Sequence, residues 1–412
     1  MKILMITPYV TIEGIKEFER NKTGFGYMVY DIAKSLGLFC KVDILTTWTR
    51  GKSFDSEGIH FLTRSFTLFF RCLIHCVNIK YTFKLMRKYT DSWGTRIRFI
   101  YCWLLTGYLD RLLEKGEYDI VHIHGCIITD ELWFYVCRRR NVKFLVTLHG
   151  LNTFSNKIIL GPFGKLYEES FLQKAVKGEI PITVISTGIK RKIEDKYGLN
   201  HGNNITVICN SFNTKDYIIK ISPREKYNIP KGSKILLYIG NISENKNQRQ
   251  MVEAFNLLPE YLSSNTWVLF CGRQSKDGSF EKFVGDLPNK DHFILCGIVE
   301  KSKIGSYYKE ADGVVLLSYS EGFGLSLIEA MHYGVPCAMF SDMDAFEDIF
   351  DSRAVVSIKD RSNLCVAKGI SKLLTNKWDS DQIVECSKKH ENSNMAIKYL
   401  EAYKKTISQN YF

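Results

Sequence analysis

The sequence predicts an α/β protein built from two consecutive parallel-sheet domains. Short apolar runs, near-continuous rather than alternating and bounded by glycine or polar residues, recur along the chain, as buried parallel strands require. Longer stretches of helical spacing separate them. The runs fall into two series with proline, glycine and asparagine breakers in between.

The first series comprises residues 2–7, 41–47, 119–124, 143–149, 182–186 and 205–210; the second comprises 234–240, 267–272, 292–297, 313–319, 336–340 and 354–358. Ser222-Pro223 and the Tyr-Asn-Ile-Pro-Lys-Gly stretch at 227–232 place the boundary near 210–228. This gives one domain over 1–210, a second over 211–380 and a helical segment over 381–412. A chain of 412 residues with 45 % hydrophobic and 24 % charged residues supports two ordinary cores and excludes disorder. Strand after strand ends in a polar or small residue: Thr7, His122 and His124, His149, Ser186, Asn210, Gly240, Gly272, Gly297, Ser318. Ligands of open α/β sheets sit at the carboxyl ends of strands, so each domain is expected to present a binding edge, and two facing edges to make a cleft.

The richest stretch runs from Ser318 through Glu321-Gly322-Phe323-Gly324-Leu325 to Glu329-Ala330-Met331. It follows an apolar strand and begins a helix. Gly322 and Gly324 permit a sharp turn and close approach of a ligand to the backbone. The unpaired N–H groups and positive dipole end of the helix suit a diphosphate. Glu321 stands at the strand's end, where its carboxylate reaches sugar hydroxyls. Glu329 lies eight residues on, about 12 Å along the axis if the segment is helical, roughly the span from the sugar to the ribose of a sugar nucleotide. A carboxylate buried there needs hydrogen-bond donors, which ribose hydroxyls supply.

Ala311-Asp312, Ser318-x-x-Glu321-Gly322-Phe323-Gly324, Glu329-Ala330-Met331 and Gly334-Val335-Pro336 together resemble the signature region of retaining glycosyltransferases of the GT-B fold that use nucleotide-sugar donors, the group 1 type. The resemblance implies two Rossmann-like domains, the first for the acceptor and the second for the donor. It assigns Glu321 to the transferred sugar, the backbone amides of Phe323, Gly324 and Leu325 to sugar and phosphate, and Glu329 to the ribose. It also implies that the final helical stretch, from Asp381 to Tyr411, crosses back onto the first domain.

Other strand ends add to it. Gly240-Asn241 leads to Lys246, where the family carries Gly-Arg with a Lys five residues after the Arg. Lys246 matches. Asn241 stands in place of the Arg and brings no charge, leaving Lys246 alone or with Arg249 or Arg273. Fixed cations and amides stabilise the leaving phosphate by roughly 2–4 kcal/mol per well-placed donor, which makes a metal unnecessary. Thr147-Leu148-His149-Gly150 resembles the family's Thr-x-His-Gly, whose His reaches the donor sugar, and His122 and His124 line the same edge. Thr23-Gly24-Phe25-Gly26 matches in part a paired-glycine loop near the phosphates, which assigns Gly24 to donor binding. The loop is too long for a dinucleotide fold and Gly-x-Gly-x-x-Gly is absent, so NAD is not expected. Asp342-Met343-Asp344 reads as a loop, not a metal motif.

Net charge is +12, and it is uneven. Residues 1–210 carry 30 Lys and Arg against 19 Asp and Glu, whereas 211–412 carry 26 against 25. The first domain therefore faces an anion: a membrane surface, a lipid phosphate or a nucleic acid. No nucleic-acid module is recognisable, so nucleic acid is not expected as a partner. Lys80, Lys84, Arg87 and Lys88 share a helical face, preceded by Phe66, Phe69, Phe70, Leu73 and Ile74 and followed by Phe99, Tyr101, Trp103, Leu104 and Leu105. That composition suits a helix lying on anionic lipid. No secretory leader is read after Met1-Lys2 and no uncharged apolar run of about 18 residues occurs, so no bilayer span is expected. The twelve cysteines are scattered without a CxxC pair, and Cys72, His75 and Cys76 lack the partners of a zinc site. Free thiols in apolar runs point to a reducing, cytoplasmic setting.

These readings converge on a metal-independent retaining transferase. It moves a sugar from a nucleotide-diphosphate donor to a glycan or polyprenyl-diphosphate-linked acceptor in cell-surface polysaccharide synthesis, peripheral to the membrane. Two alternatives stay open: another GT-B enzyme such as a sugar-nucleotide epimerase, and a non-enzymatic protein binding membrane or nucleic acid through the basic half.

Overall fold

Every strand expected from the apolar runs forms, and each joins one of two sheets. The computed structural model of the chain describes residues 1–19, 23–48, 53–62, 72–89, 92–151, 153–154, 162–198, 205–212 and 220–409. Two compact units result: Met1–Asn210 with Asn392–Phe412, and Ser211–Glu391.

The first unit holds β1 (Lys2–Thr7), β2 (Lys41–Thr46), β3 (Phe54–Ser56), β4 (Ile59–Leu62), β5 (Ile120–His124), β6 (Lys143–Leu148), β7 (Ile182–Val184) and β8 (Ile205–Val207). Their spatial order is β3-β4-β2-β1-β5-β6-β7-β8. All neighbours are parallel except β3 and β4. The β3–β4 hairpin is absent from the sequence reading. Its strands are three and four residues long, and its turn puts Glu57 at φ 50° and Gly58 at φ 79°. Two positive φ values mark a primed hairpin turn, and Glu is a poor advertisement for one.

The second unit holds β9 (Lys234–Ile239), β10 (Thr266–Cys271), β11 (Phe293–Gly297), β12 (Gly313–Leu316), β13 (Cys337–Phe340) and β14 (Val355–Ile358). All are parallel, in the order β11-β10-β9-β12-β13-β14. The chain thus enters at the middle of each sheet, winds to one edge and returns to the other side. The order reverses between β1 and β5 in one unit and between β9 and β12 in the other, and a crevice opens at such switch points.

Both sheets are buried on two faces, which explains the continuous apolar runs. Ile3, Leu4, Met5 and Ile6 of β1 are buried, as are Leu236, Leu237 and Tyr238 of β9. The helix Asn363–Thr375 packs directly on the second sheet, so a Cβ on Gly369 would lie 2.7 Å from Ile358 Cγ1.

Two expectations need correction. The stretch from Asp381 to Tyr411 is not one crossing segment. The helix Ser380–Ser387 stays in the second unit, and only the helix Asn392–Ser408 belongs to the first. The break is a short 3-10 turn, Lys388–His390, followed by Glu391 in an extended conformation, where Phe212 pairs with Glu391. Neither glycine nor proline stands there, so the sequence carries no breaker signal. The second correction concerns the aromatic stretch 99–105. In the helix Trp93–Glu114, Phe99 and Leu105 are core residues, and the Trp103 indole donates to the Val77 carbonyl at 2.7 Å. The exposed apolar side chains are Trp93, Ile97 and Ile100, together with Leu73, Ile74, Ile79 and Phe83. Lys80, Lys84, Arg87 and Lys88 are exposed on the helix Ile79–Tyr89. Phe66, Phe69 and Phe70 lie outside the described residues.

Candidate functional site

In the second unit, two loops meet at the switch point. One leaves β9 and runs from Gly240 to Asn247; the other leaves β12 and runs from Leu317 to Gly324. Asn245 clamps them together: its Nδ2 donates to the Ser320 carbonyl at 2.8 Å, its Oδ1 accepts from the Ser320 N–H at 3.1 Å, and its carbonyl accepts from the Tyr319 N–H at 2.8 Å. Tyr238, fully buried in β9, ties the same loops from below. Its hydroxyl donates to the Lys246 carbonyl and accepts from the Leu317 N–H at 2.9 Å. Burial pushes that phenol well above its ordinary range, so it stays a neutral donor and acceptor.

This frame brings Lys246 and Glu321 into an ion pair, with side chains 24 % and 20 % exposed. Ser318 Oγ donates to the same Glu321 oxygen at 3.2 Å. A half-buried ammonium and carboxylate, each still reachable, are thus fixed where two strand ends diverge. Glu321 leads into Gly322, Phe323 and Gly324, which cap the helix Leu325–His332. Gly324 has φ +99°, a conformation that disfavours any side chain, and a Cβ there would lie 3.1 Å from Leu316 Cδ2, a tight contact. The Phe323 ring is buried against His390, 5.4 Å between centroids, which anchors the segment. Leu325 is half-buried at the first helical position. Glu329 lies within the same helix and is half-buried, and it accepts the Tyr308 hydroxyl at 2.6 Å. Tyr333 stacks on Tyr308 at 5.6 Å, and its phenol is pushed up to about 12 by burial and then by the Glu329 charge.

The β9 loop is also packed sideways on the end of β10. A Cβ on Gly272 would sit 2.2 Å from the Gly240 carbonyl oxygen, so only glycine permits this approach. Asn241 Oδ1 accepts the Arg273 N–H at 2.9 Å, and the Arg273 carbonyl accepts the Ile242 N–H at 2.9 Å. Gln248, buried, donates to the carbonyls of Gly240 and Asn241.

In the first unit, the ends of β5 and β6 carry three histidines. His122 is buried, with Nε2 2.7 Å from Thr147 Oγ1 and Nδ1 2.7 Å from the hydroxyl of Tyr403, which the helix Asn392–Ser408 supplies. His124 Nδ1 lies 3.0 Å from His149 Nε2. The half-buried His149 ring also meets Phe25 edge-on at 5.0 Å. Burial holds His149 down to about 4 and His122 to about 3, and His124 well below its usual value, so all three are neutral at neutral pH. Gly24 opens the helix Gly24–Gly37, capped by Thr23 Oγ1 on the Gly26 N–H at 3.2 Å. A Cβ on Gly24 would meet nothing within 4 Å, whereas one on Gly26 would fall 2.2 Å from Thr11 Oγ1. The close-packed glycine of this loop is therefore Gly26.

Two family models cover most of the chain: Glycosyltransferase Family 4 matches residues 23–216, and Glycosyl transferases group 1 matches residues 220–390. The chain belongs to the group 1 glycosyltransferases. It is 26 % identical over 272 residues to the putative glycosyltransferase EpsD of Bacillus subtilis (strain 168), spanning 64 % of this chain and 70 % of that one. It is 28 % identical over 191 residues to the O-antigen chain mannosyltransferase RfbU of Salmonella typhimurium, spanning 46 % of this chain and 50 % of that one. Among solved structures, a glycosyltransferase from Rickettsia africae ESF-5 superposes with TM-score 0.71 at 18 % identity, covering 100 % and 99 % of the two chains. Anabaena Alr3699/HepE in complex with UDP and glucose gives 0.65 at 14 %, covering 98 % and 100 %. These likenesses establish the GT-B fold of two parallel-sheet α/β domains.

In this glycosyltransferase the sequence-named residues fall into two groups. Asn241, Lys246, Glu321, Gly322, Phe323, Gly324, Leu325 and Glu329 all stand on the β9 and β12 loops or on the helix they lead into, in the second unit. Gly24 and His149 belong to the first. Asn241 has a structural task, since its side-chain oxygen accepts the Arg273 N–H. Of the two arginines weighed as replacements for the missing Arg, Arg249 is engaged by Glu253 at 3.0 Å and by the Phe283 ring at 4.2 Å. Arg273 is exposed beside the loop. Asp342 is held by both Arg361 Nε and Nη2 at 2.9 Å, which ties the loop after β13 to the segment after β14. His75 lies 3.2 Å from Asp110, which also takes Arg139 and Arg140. Sequence reasoning missed Asn245, Tyr238, Gln248 and Tyr308. Only Tyr238 left a trace, as a polar group inside an otherwise apolar strand.

Proposed function

We propose that this glycosyltransferase retains the anomeric configuration of its donor, needs no metal, and transfers a sugar from a nucleoside-diphosphate sugar to a glycan or polyprenyl-diphosphate-linked acceptor of a surface polysaccharide. The observation that carries the donor half is the fixed Lys246–Glu321 pair beside the Gly324–Leu325 helix start. A diphosphate draws the ammonium to itself and takes the first amides of the helix. Glu321, released from Lys246, accepts hydroxyls of the transferred sugar. Glu329 accepts ribose hydroxyls, oriented by Tyr308. Arg273 supplies the second cation that Asn241 does not. His149 and Gly24 are assigned to the donor on their resemblance to the family's loops.

The C1–oxygen bond to the diphosphate breaks, and the leaving oxygen takes the charge. The acceptor hydroxyl attacks C1 from the same face and gives its proton to that oxygen, which preserves configuration. The complex of HepE with UDP and glucose, and the name of RfbU, support a nucleotide sugar and a surface glycan respectively. The acceptor falls to the first unit, where most of the positive charge lies. There Trp93, Ile97 and Ile100 form an i, i+4, i+7 stripe, and Lys80, Lys84, Arg87 and Lys88 lie on the preceding helix; together they suit the surface of anionic lipid. Among the described residues no helix is long and apolar enough to cross a membrane.

Proton NMR of the first product formed, with EDTA present, tests the chemistry. The donor's own anomeric coupling in the product is expected; an inverted anomer, or turnover abolished by EDTA and restored by a divalent ion, refutes the reading.

A further inference from the structure

A neutral imidazole carries one proton, and the nitrogen that carries it decides whether the ring gives or takes a hydrogen bond at its other end. For His149 that choice is constrained. Its Nε2 faces His124 Nδ1 at 3.0 Å, so one proton stands between the two rings. Nδ1 is then what His149 has left for a ligand. Burial keeps both rings neutral.

Two arrangements satisfy the contact. If His149 donates, His124 must hold its proton on Nε2. That nitrogen is buried, in a residue 1 % exposed, and has no partner among the described residues. The ring beside it, His122, is 4.0 Å away between centroids, and both its nitrogens are engaged, by Thr147 and Tyr403. The proton would thus be stranded. If His124 donates instead, the stranded atom is a bare lone pair. Protein interiors tolerate an unfilled acceptor more readily than an orphaned N–H. The second arrangement wins.

We propose that His124 is a positioning residue that holds His149 as its Nδ1–H tautomer, so that His149 offers the transferred sugar a donor rather than an acceptor. The last clause rests on the role given to His149 above; the tautomer itself does not. Phe25 against one edge of the His149 ring and the His122–Tyr403 contact behind His124 restrict how the pair can turn. A sugar hydroxyl oxygen with free lone pairs is the group such a donor selects.

Long-range proton–nitrogen spectra of the full chain, with ¹⁵N-labelled histidine and His149 assigned by its loss in His149→Gln, read the tautomer at neutral pH. The expected result is a protonated Nδ1 and a bare Nε2. His124→Asn places an amide N–H at the same distance from Cβ and should keep the pattern. His124→Phe keeps the bulk without the donor, and both His149 nitrogens should move to intermediate shifts. A protonated Nε2 in the unmodified protein overturns the inference, and so does an unchanged Nδ1–H in folded His124→Phe. The two readings fail separately: full turnover by His149→Ala would remove its part in transfer, while the spectra would still report the tautomer.

Discussion

Lys246 and Glu321 neutralise each other, and this fixes what their removal should do. Each is about a fifth to a quarter exposed, so either truncation leaves a half-buried charge unpaired and costs some stability. In the proposed function the pair's value lies in the exchange of partners when a diphosphate sugar arrives. Lys246→Ala and Glu321→Ala are each expected to lower turnover at least tenfold, about 1.4 kcal/mol of transition-state stabilisation, with an unchanged circular dichroism spectrum and only a modest fall in thermal midpoint. Near-normal rates in both would remove the site. These two residues were legible because Glu321 sits in a long ordered motif and Lys246 follows a strand end at a family spacing. Asn245, Gln248 and Tyr308 were not. Each acts by closing a contact that exists only once distant segments meet, as Asn245 does with Ser320, and a single polar residue in a loop has no pattern to announce it.

At the scale of elements, strands read better than helices because a parallel strand buried on two faces writes itself as an unbroken apolar run. The helical region 72–114 shows the limit. Composition located a basic and apolar segment and named Leu73 and Ile74, which are exposed, but also Phe99 and Leu105, which are core; a 22-residue helix whose inner and outer faces both carry aromatics has no clean stripe. The exposed apolar side chains of the α-helices there are instead Trp93, Ile97 and Ile100, with Ile79 and Phe83, and these are the set the proposed membrane docking would use. Flotation with liposomes containing anionic lipid should therefore be lost in Trp93→Ser/Ile97→Ser and weakened by raised salt or by Lys84→Glu/Arg87→Glu. Failure of the unmodified protein to float with anionic lipid would contradict the membrane assignment. The Lys388–His390 turn was equally hidden. A helix can stop with no glycine or proline in the chain, as the helix Ser380–Ser387 does in this 3-10 turn.

The molecule as a whole inherits a pH dependence from what its first unit buries. His122 and His124 are 0 % and 1 % exposed and neutral, while in the unfolded chain they titrate near 6.5. Below that pH the unfolded state binds protons the folded state refuses, so stability falls as pH falls, by up to about 1.4 kcal/mol per pH unit for each histidine. For His122 the window closes near pH 3. At Asp110, burial alone would raise the carboxyl, but hydrogen bonds from Arg140 and Arg139 outweigh it and hold it low. A depressed carboxylate stabilises above its unfolded value and loses that contribution as pH falls further, so it adds to the acid side below about pH 4. The thermal midpoint should drop between pH 7 and 5, and less steeply in His122→Gln; a flat profile there would contradict the neutral buried histidines. Two parallel sheets were foreseeable from the two series of runs, whereas their reversals at β1/β5 and β9/β12 and the return of Tyr403 to His122 across 281 residues were not.

The central claim is that the β9 and β12 loops hold a nucleoside diphosphate. Isothermal titration calorimetry of UDP, GDP and ADP into the unmodified chain and Lys246→Ala measures it without knowledge of sugar or acceptor. One of the three is expected to bind the unmodified protein saturably and at least tenfold more weakly to Lys246→Ala. Binding of none, or equal affinity for both proteins, would contradict the account.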